Sequence, residues 1–485
     1  MASALGACVQ ETDQPNPEFC ANARGDETCA ERFPDGSRPY CVISECLDDH
    51  FGCFPDPPGD NCASPCGLAD PDCSRGTGSG GSTASSSSGT ADGTMTATEG
   101  GTGTGPLPCA GDLDCTDDAA PLCDVGLGQC VACDSVPDGD AACAGLDAGI
   151  PVCVDGQCRQ CTSRASAECG GTTPICDDEA NVCVACTSHA QCAPAGCNLF
   201  TGACLPPDAV VHVGPGQGLA TLGEAVGGFM AGEEGTIVVH GNAAFDEAVV
   251  IGGGRVLALL ANAGDAPRWV LTGGGGPQLE VLDATVLMAG IQVSGNADGV
   301  GVVADGSRVW VDRGRVVDNA GGGLTATAGS ELVLRNCFVT RNGDPFADTR
   351  GISVAGSSLA LVYDTIAANE GTGASGPVSL ACDAGSDGQV RNSIVAAGSG
   401  TIDCPGVGFD HDVVDTGGLV GSNTVVLPFD PAWFPDIGML DFHIDAGPPF
   451  EDVAQWQTGD PTTDFDGDAR PNLDGSADYA GADLP

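Results

Sequence analysis

Lysine is absent from this 485-residue chain, and arginine supplies all 16 basic side chains against 67 acidic ones. The absence excludes mechanisms that depend on a lysine amine, such as Schiff-base chemistry and the phosphate clamp of a P-loop. The formal charge of −51 opposes phosphate backbones and anionic lipid, because these carry charge of the same sign. We therefore expect no nucleic-acid partner and no membrane contact through charge alone.

Aromatic residues and long apolar runs are also scarce. Phe, Trp and Tyr make up 5% of the residues, which is too few for one conventional core of this size. No run in the sequence approaches the roughly 20 apolar residues of a membrane-spanning helix. Several small modules are predicted instead.

Cysteine is abundant, and its distribution divides the chain. Of 28 cysteines, Cys8 stands alone, eight lie within residues 9–73, 16 lie within residues 109–204, and three follow. Even clusters in sequence rich in Gly, Asp and Pro are typical of disulfide frameworks, which persist in oxidising compartments. The protein is therefore predicted to be exported and extracellular.

The N-terminus indicates a tether. Leu5-Gly6-Ala7-Cys8 resembles the lipobox of bacterial lipoproteins, which implies lipid attachment at Cys8, a place on the outer membrane and a signal remnant at 1–8. Only seven residues precede Cys8, fewer than a signal peptide needs, so this interpretation requires a longer leader. The alternative is an ordinary disulfide or a free thiol at Cys8.

Three segments precede the last and longest module. Residues 9–73 form a Cys-rich module without a period, and Gly, Ser and Thr fill 25 of the 35 positions of 74–108. A segment of that composition cannot bury a core, which predicts a disordered linker. Residues 109–204 contain four tandem repeats of four cysteines each. The repeats start at Cys109, Cys133, Cys161 and Cys186.

The four repeats have almost no large apolar side chains, so cross-links must hold them together. C-x2-C pairs at their junctions are also found in zinc and redox sites, but no convergent ligand set or βαβ context is visible in the sequence. Disulfides are predicted, with their connectivity left open. The array resembles the small Cys-rich repeats of secreted stalks.

A different period begins after Pro206 and predicts the fold of residues 209–445. Turn dipeptides recur at steps of 23, 23, 27 and 29 residues, and apolar residues recur in register behind them. The first apolar column contains Val286, Val309, Leu332 and Leu359, and a turn column contains Asn296, Asn319, Asn342 and Asn369. This pattern predicts an all-β solenoid of about ten stacked parallel rungs with an asparagine ladder at one turn.

The exposed first rung of a solenoid needs a cover. Residues 218–235 predict an N-terminal capping helix, because their apolar residues recur at helical spacing. These residues are Leu219, Leu222, Ala225, Val226, Phe229 and Met230.

Three features together carry a family resemblance: the segment VVHVGPGQGLATLGEAV at 210–226, the rung repeat, and the tail DFDGDARPNLDGSADYAGAD at 464–483. In these features the chain resembles right-handed parallel β-helix proteins of the pectin-lyase-like superfamily. The resemblance implies a right-handed parallel β-helix that is followed by a C-terminal tail or cap at 446–485.

The superfamily includes polysaccharide lyases and hydrolases, but their calcium-binding and acidic catalytic constellations are not recognisable in this sequence. The nearest feature is a polar, locally basic band that follows each predicted strand, a candidate surface for an acidic glycan. The band contains Asp312, Arg313, Arg335, Asn336, Tyr363, Asp364, Arg391 and Asn392. The alternative is a solvated turn with scattered ion pairs. Outward-facing Trp310 is either a sugar-stacking platform or part of a face covered by the C-terminal tail.

One metal site is considered. Asp464, Asp466 and Asp468 around Gly467 could offer oxygens to Ca²⁺, and the alternative is a turn with acidic ends. No other cofactor is expected.

One disulfide is predicted within the solenoid. Cys382 and Cys404 lie 22 residues apart, about one rung, which brings their Cα atoms within disulfide range. Cys337 is then left unpaired and buried as a small apolar side chain.

The leading functional hypothesis is an exported, surface-tethered protein with a non-catalytic role in adhesion or glycan binding. A polysaccharide lyase or glycoside hydrolase of the same fold is the alternative, so enzyme activity stays open. A passive structural protein of the envelope is the second alternative. No oligomer is implied.

Overall fold

A computed structural model describes residues 40–41, 53–54, 109–162, 169–242, 244–372, 377–397, 401–444 and 450–485. The chain divides into two compact units, Met1–Thr102 and Gly103–Pro485. In the first unit, the described residues form an antiparallel pair, Tyr40–Cys41 with Cys53–Phe54. The predictions for Cys8 and the 74–108 linker, and most of the 9–73 module, lie outside the described residues.

The Cys-rich repeats share one disulfide connectivity wherever the structure describes them. The first cysteine of each repeat bonds the third, and the second bonds the fourth, with Cα atoms 5.4 to 6.0 Å apart. The pairs are Cys109–Cys123, Cys115–Cys130, Cys133–Cys153, Cys143–Cys158, Cys161–Cys176, Cys169–Cys183, Cys186–Cys197 and Cys192–Cys204. Every C-x2-C pair therefore joins two neighbouring repeats, and its thiols are consumed in disulfides.

Each repeat contains a short antiparallel hairpin, and its two strands carry the third and fourth cysteines of the repeat. The hairpins are Leu122–Asp124 with Gln129–Val131, Val152–Val154 with Gln157–Arg159, Ile175–Asp177 with Val182–Val184, and Cys197–Asn198 with Ala203–Cys204. An α-helix, α1, covers Gly139–Leu146, and 3-10 turns cover Asp112–Asp114, Cys133–Ser135 and His189–Cys192. Two disulfides per repeat replace the apolar core that the composition cannot supply.

Beyond the repeats, the described residues form three long parallel sheets that the chain visits in turn. Sheet 1 contains Val210–Val213, Glu234–Val239, Val256–Ala261, Thr285–Ala289, Arg308–Asp312, Glu331–Arg335, Ser358–Val362, Asp387–Arg391, Val407–Asp410 and Gly421–Ser422. Sheet 2 contains Ala244–Asp246, Arg268–Val270, Gln292–Ser294, Arg315–Val317, Phe338–Thr340, Thr365–Ala367, Ile394–Ala396, Val413–Val414 and Val425–Val426. Sheet 3 contains Val249–Gly252, Leu279–Leu282, Val300–Asp305, Gly322–Thr327, Ile352–Val354, Pro377–Cys382 and Thr401–Asp403. This is a parallel β-helix, and the predicted fold class is confirmed.

The predicted inward columns form the core. Val286 pairs with Val309, Val309 with Leu332, and Leu332 with Leu359 in sheet 1, and all four are buried. Identical positions on successive strands must face the same way in a parallel stack, so each column becomes a continuous apolar ladder.

The asparagine ladder is present between sheet 2 and sheet 3. The backbone N–H and Nδ2 of Asn319 both donate to Oδ1 of Asn342, at 3.2 and 2.9 Å. Asn342 repeats both bonds to Asn369, at 2.9 and 3.1 Å. Each amide thereby satisfies a buried backbone group at the turn of the preceding rung.

A second ladder of hydrogen bonds lies at the turns that follow sheet 1, and it was not among the predicted features. The backbone N–H of Cys337 donates to Asp364, that of Asp364 to Ser393, and that of Ser393 to Asp412, at 2.7 to 3.0 Å. The Cys337 Sγ accepts from Gly314 N–H at 3.5 Å. Burial raises the pKa of the Asp364 and Asp412 carboxyls and of the Cys337 thiol well above their ordinary values.

The N-terminal cover is shorter than predicted. Helix α2 spans only Leu222–Gly227, and Thr221 caps it by accepting from Glu224 N–H at 3.1 Å. Phe229 is buried beyond the helix end, whereas Met230 is exposed. A helix of this length can cover the first rung but cannot carry the predicted apolar face through to Met230.

The sheets end at Val426, before the predicted end at residue 445. The following segment, with 3-10 turns Pro431–Trp433 and Ile437–Met439 and a strand pair Ala454–Gln455 with Ala477–Asp478, lies over the outer face of sheet 2. We call the described residues 427–444 and 450–485 the C-terminal cover. Phe434 and Phe442, which lie within the predicted bounds of the solenoid, instead form a second core against outward-facing Phe338 and Ile394. Among the described residues, no helix is long and apolar enough to span a bilayer.

Candidate functional site

The predicted polar band lies at the turn after sheet 1, but the structure divides it into three parts. Arg313, Asn336, Tyr363 and Asn392 occupy equivalent turn positions with φ between 47° and 58°. A left-handed backbone recurs there on successive rungs, which explains the two asparagines. The band residues recur at the predicted positions of successive rungs, but most of them are not exposed as predicted.

Three residues of the band, Asn336, Tyr363 and Asn392, contact the C-terminal cover. Asn336 Nδ2 donates to the Thr463 carbonyl at 2.8 Å, and Asn392 exchanges two hydrogen bonds with the Gln455 backbone, at 3.0 and 2.9 Å. Tyr363 is fully buried under the same segment. These side chains dock the cover and do not face solvent.

Two other band residues are also engaged within the protein. Arg391 forms a bidentate ion pair with Asp460 of the cover. Asp364 is a buried member of the ladder described above, where its Oδ1 and Oδ2 accept from backbone N–H groups. These residues are hydrogen-bonded within the protein and do not form the exposed strip that the sequence predicted.

Trp310 is covered, but not by the tail. Its indole packs edge to face against Phe200, with ring centroids 5.4 Å apart. Phe200 belongs to the fourth Cys-rich repeat, whose Ala195 and Leu205 lie on the same outer column of sheet 1. A backbone hydrogen bond from Gly196 to the Thr236 hydroxyl, at 2.8 Å, fastens this repeat to the β-helix.

The remaining band residues lie at the edge of this contact. Asp312 accepts from Arg335 Nε at 3.0 Å, and Arg313 Nε lies 4.0 Å from its other oxygen. The Arg335 side chain is 15% exposed and the Arg313 side chain 48% exposed. Arg313 is therefore the cation of this group that solvent reaches.

A third arginine, Arg308, lies at the start of the same strand as Asp312. Arg308 bonds Glu331 on the next rung at 2.7 Å, and its guanidinium carbon lies 4.1 Å from the centroid of the Phe200 ring. The guanidinium of Arg335 lies 5.6 Å from the Trp310 ring in the same way. Arginines held over aromatic faces keep their hydrogen-bonding edges free for a partner.

We call these residues the arginine junction: Phe200, Arg308, Trp310, Asp312, Arg313, Glu331 and Arg335. Its three arginines exceed its two carboxylates by one positive charge, in a chain whose formal charge is −51. Such an arrangement can bind an anionic group by charge and by bidentate hydrogen bonds.

His189 of the fourth repeat lies beside the arginine junction. Burial, helped by the charges of Arg335 and Arg313 and opposed by Asp312, lowers its pKa to about 4. Its Nδ1 accepts from Cys197 N–H at 3.1 Å, so the imidazole is held neutral with its proton on Nε2. His189 thus supports the contact and adds no charge to it.

Sequence reasoning missed Phe200, His189, Arg308 and Glu331. The last two lie directly opposite each other in the pairing of adjacent strands, so the rung alignment contained their signal. Phe200 and His189 lie in a short repeat, and only packing against a distant sheet identifies them.

The three aspartates considered for Ca²⁺ do not converge. The oxygens of buried Asp464 accept from the backbone N–H groups of Gly467, Asp468 and Leu484, at 2.8, 2.8 and 3.0 Å. Asp464 thus shapes the turn. Asp466 instead lies against His443, and Asp468 is exposed.

The structure joins Cys382, at the end of one strand of sheet 3, and Cys404, directly after the next strand, by a disulfide with Cα atoms 4.4 Å apart. Within the described part of the chain, Cys337 is a buried free thiol. Its place in the ladder after sheet 1 explains why this position carries a small side chain that donates and accepts weakly.

Fold and site define the class of protein: an array of disulfide-bonded repeats that packs directly on a parallel β-helix. The model of a family of unknown function, DUF8331, matches residues 94–210, which span the repeats. No curated protein matches the chain.

Several solved structures are similar to it at low identity. An alginate lyase from a Paenibacillus species is 15% identical with a TM-score of 0.29, and the match covers 45% of this chain and 95% of the lyase. A pectin methylesterase from Aspergillus niger is 9% identical with a TM-score of 0.26, covering 46% of this chain and 88% of the esterase. A pectate lyase is 11% identical with a TM-score of 0.25, covering 56% and 95%. Matches at this level carry no conclusion about activity.

Proposed function

We propose that this chain is an exported surface protein that binds an acidic polysaccharide, without cleaving it, through the arginine junction. One observation carries the proposal: the Phe200-stacked Arg308 and the half-exposed Arg313 lie at the two ends of the strand Arg308–Asp312 in an otherwise strongly acidic chain. A uronate polymer presents repeated carboxylates and sugar faces, which match guanidinium groups and aromatic edges.

Placement outside the cell is part of the same proposal. Eight disulfides with one connectivity brace the described repeats, and a ninth crosses the last full rungs of sheet 3. Cross-links of this density persist only where the surroundings are oxidising. The repeats would display the β-helix, and lipid on Cys8 would hold the chain at the surface.

Binding rather than catalysis is favoured by the state of the carboxylates. Asp312 is paired with Arg335, and Glu331 is paired with Arg308. A general acid or base needs a carboxyl group that is free to exchange a proton with substrate. In the arginine junction both carboxylates instead hold arginines in place.

The test is retention on immobilised polygalacturonate and on a neutral glucan, with the eluate assayed for new reducing ends and unsaturated products. Wild-type protein should be retained by the acidic polymer, in a salt-sensitive manner, and release no product. Arg308→Ser combined with Arg313→Ser should abolish retention. Arg313→Ser alone should weaken retention, and Arg268→Ser, which removes one exposed arginine from sheet 2, is its matched charge control and should bind normally.

The competing functions give different results in the same assay. Product formation would establish the lyase or hydrolase alternative and reject a non-catalytic role. If neither polymer retains the wild type, the passive envelope role is favoured. Equal loss in the Arg268 variant would show that net charge, not the arginine junction, governs binding.

The anchor is tested separately by replacing Cys8 with Ser in the native host. If lipid on Cys8 tethers the chain, the variant should appear in the medium while the wild type stays with membranes. Unchanged fractionation would reject the anchor and leave the glycan proposal standing.

A further inference from the structure

A mixed cluster of one imidazole and several carboxylates lies within the C-terminal cover, apart from the arginine junction. His443 follows the 3-10 turn Ile437–Met439, Asp466 lies in the turn shaped by Asp464, and Asp483 lies near the end of the chain. One ligand atom from each of His443, Asp466 and Asp483 lies within 4.8 Å of the other two. Three segments that are distant in sequence thus converge on one point.

The imidazole is oriented as a metal ligand would be. His443 Nδ1 lies 2.6 Å from Asp441 Oδ1, so this nitrogen carries the proton and Nε2 is turned toward the cluster. In metal sites, ligating histidines commonly donate their other N–H to a carboxylate in this manner. Asp441 would therefore fix the tautomer and the ring plane.

The spacing of the ligand atoms fits a small ion. His443 Nε2 lies 3.2 Å from Asp466 Oδ2. Two ligands that are each about 2 Å from a tetrahedral metal ion lie roughly 3.3 Å from one another. The observed separation therefore leaves room for an ion between the two atoms without moving either segment.

A buried carboxylate pair supplies an independent reason for a cation. Asp483 and its hydrogen-bonded neighbour Asp464 are both buried. Two carboxylates in contact away from water require a proton or a metal ion between or beside them.

Arg315 is the other cation nearby, and it does not complete the cluster. Its Nη1 donates to the Leu440 carbonyl and its Nη2 lies 3.3 Å from His443 Nε2. Its guanidinium lies over the rings of Phe338 and Phe465, at 5.0 and 4.7 Å. No ion pair within 4.0 Å joins it to a carboxylate among the described residues. An ion at Nε2 would displace one contact of Arg315 and leave the others.

We propose that His443 Nε2, Asp466 and Asp483 bind one divalent transition-metal ion, which clasps the C-terminal cover. One nitrogen and two carboxylate oxygens suit Zn²⁺ or Mn²⁺, whereas Ca²⁺ prefers a shell of oxygens alone. The ion joins the His443 loop, the Asp464 turn and the chain end, which are separate segments of one cover over sheet 2. Its role is structural.

The experiment uses full-length protein stripped with chelator, dialysed against Zn²⁺ and analysed for bound metal and for melting temperature. Wild type should retain one Zn²⁺ per chain more tightly than the bulk acidic surface does, and its melting temperature should rise. Asp466→Asn should lose affinity at least tenfold and lose the thermal shift, since it removes a ligand. His443→Gln should do the same.

Asp468→Asn is the matched control, because it removes an exposed carboxylate from the same turn without touching the cluster. It should bind and stabilise as the wild type does. Asp466 is 54% exposed, so its replacement keeps the test decisive if His443→Gln fails to fold. Equal Zn²⁺ retention in all variants, or a larger thermal shift with Ca²⁺ than with Zn²⁺, would overturn the proposal. So would absence of a shift in the wild type, which would leave an imidazolium held between Asp441 and Asp466.

Discussion

The guanidinium carbon of Arg470 lies 3.9 Å from the centroid of the Tyr363 ring, and both side chains are buried. Arg470 belongs to the tail signature at 464–483, and Tyr363 belongs to the polar band that follows sheet 1. The same arginine pairs with Asp478 at 3.1 Å and donates to the Gly481 carbonyl at 2.8 Å. Two sequence features that looked independent are therefore two sides of one contact.

Replacing Arg470 with Met should detach the cover. The change leaves the Asp478 carboxylate buried without its partner, and breaking a buried pair on one side costs about 3 to 5 kcal/mol. We expect a lower free energy of unfolding and rapid proteolysis within residues 427–485. The double variant Arg470→Met, Asp478→Leu should recover much of that loss, because no unpaired charge remains. A double variant as unstable as the single one would contradict this account.

Replacing Asn319 and Asn342 together with Ala should destabilise the β-helix by about 1 to 3 kcal/mol per site. Each amide bonds a buried backbone N–H of the preceding rung, and alanine leaves that group unsatisfied. The measurement is the denaturant midpoint of unfolding. Arg313→Ala with Arg308→Ala serves as the control, and its exposed side chains should cost well under 1 kcal/mol per site. Equal midpoints for the two double variants would be incompatible with the ladder.

Cys337 should resist alkylation in the folded protein. Burial and the neighbouring Asp364 raise the pKa of its thiol, so the reactive thiolate is scarce, and the side chain is not accessible. Mass spectrometry of the Cys337 peptide should show iodoacetamide labelling only after denaturation. The Cys382 and Cys404 peptides should remain linked until a reductant is added. Prompt labelling of Cys337 under native conditions would show that this rung opens.

His189 should make stability depend on pH between about 6.5 and 4. Its pKa is lowered from 6.5 to about 4 in the folded protein, so the unfolded chain takes up the proton first as the pH falls. The stabilisation is complete above pH 6.5 and is lost progressively toward pH 4, by about 3 kcal/mol in total.

Comparing wild type with His189→Gln isolates this contribution from the many carboxyl groups. The difference in free energy of unfolding between the two proteins should change by that amount between pH 7 and pH 4, in the direction of a relatively more stable variant at low pH. A constant difference across the range would show that His189 is not held neutral.

The rung register could be predicted because it is repeated locally. Val309 and Leu332 occupy equivalent positions 23 residues apart and stack directly, so a period of 23 residues implies both the strand pairing and the asparagine ladder. The Cys382 to Cys404 bond follows from the same period. The number of residues in one rung determines which residues of successive rungs become adjacent.

The covers could not be predicted in this way. Trp310, Phe338 and Tyr363 all face outward, and sequence offers no rule for whether Phe200, Phe465, Arg470 or solvent lies against them. The band was therefore expected to be exposed, and five of its eight residues are buried. The predicted length of the capping helix was wrong for a similar reason. Met230 has the spacing of a helical residue but is exposed, with nothing to pack against.

By itself, the sequence determined an acidic, disulfide-braced chain with a parallel solenoid, because composition and period are local properties that constrain each rung in the same way. Tertiary structure alone decided which outer faces remain open, where Arg308 meets Phe200, and how His443, Asp466 and Asp483 converge. Those contacts join segments far apart in the chain. Their geometry depends on how the fourth Cys-rich repeat and the C-terminal cover pack on the β-helix.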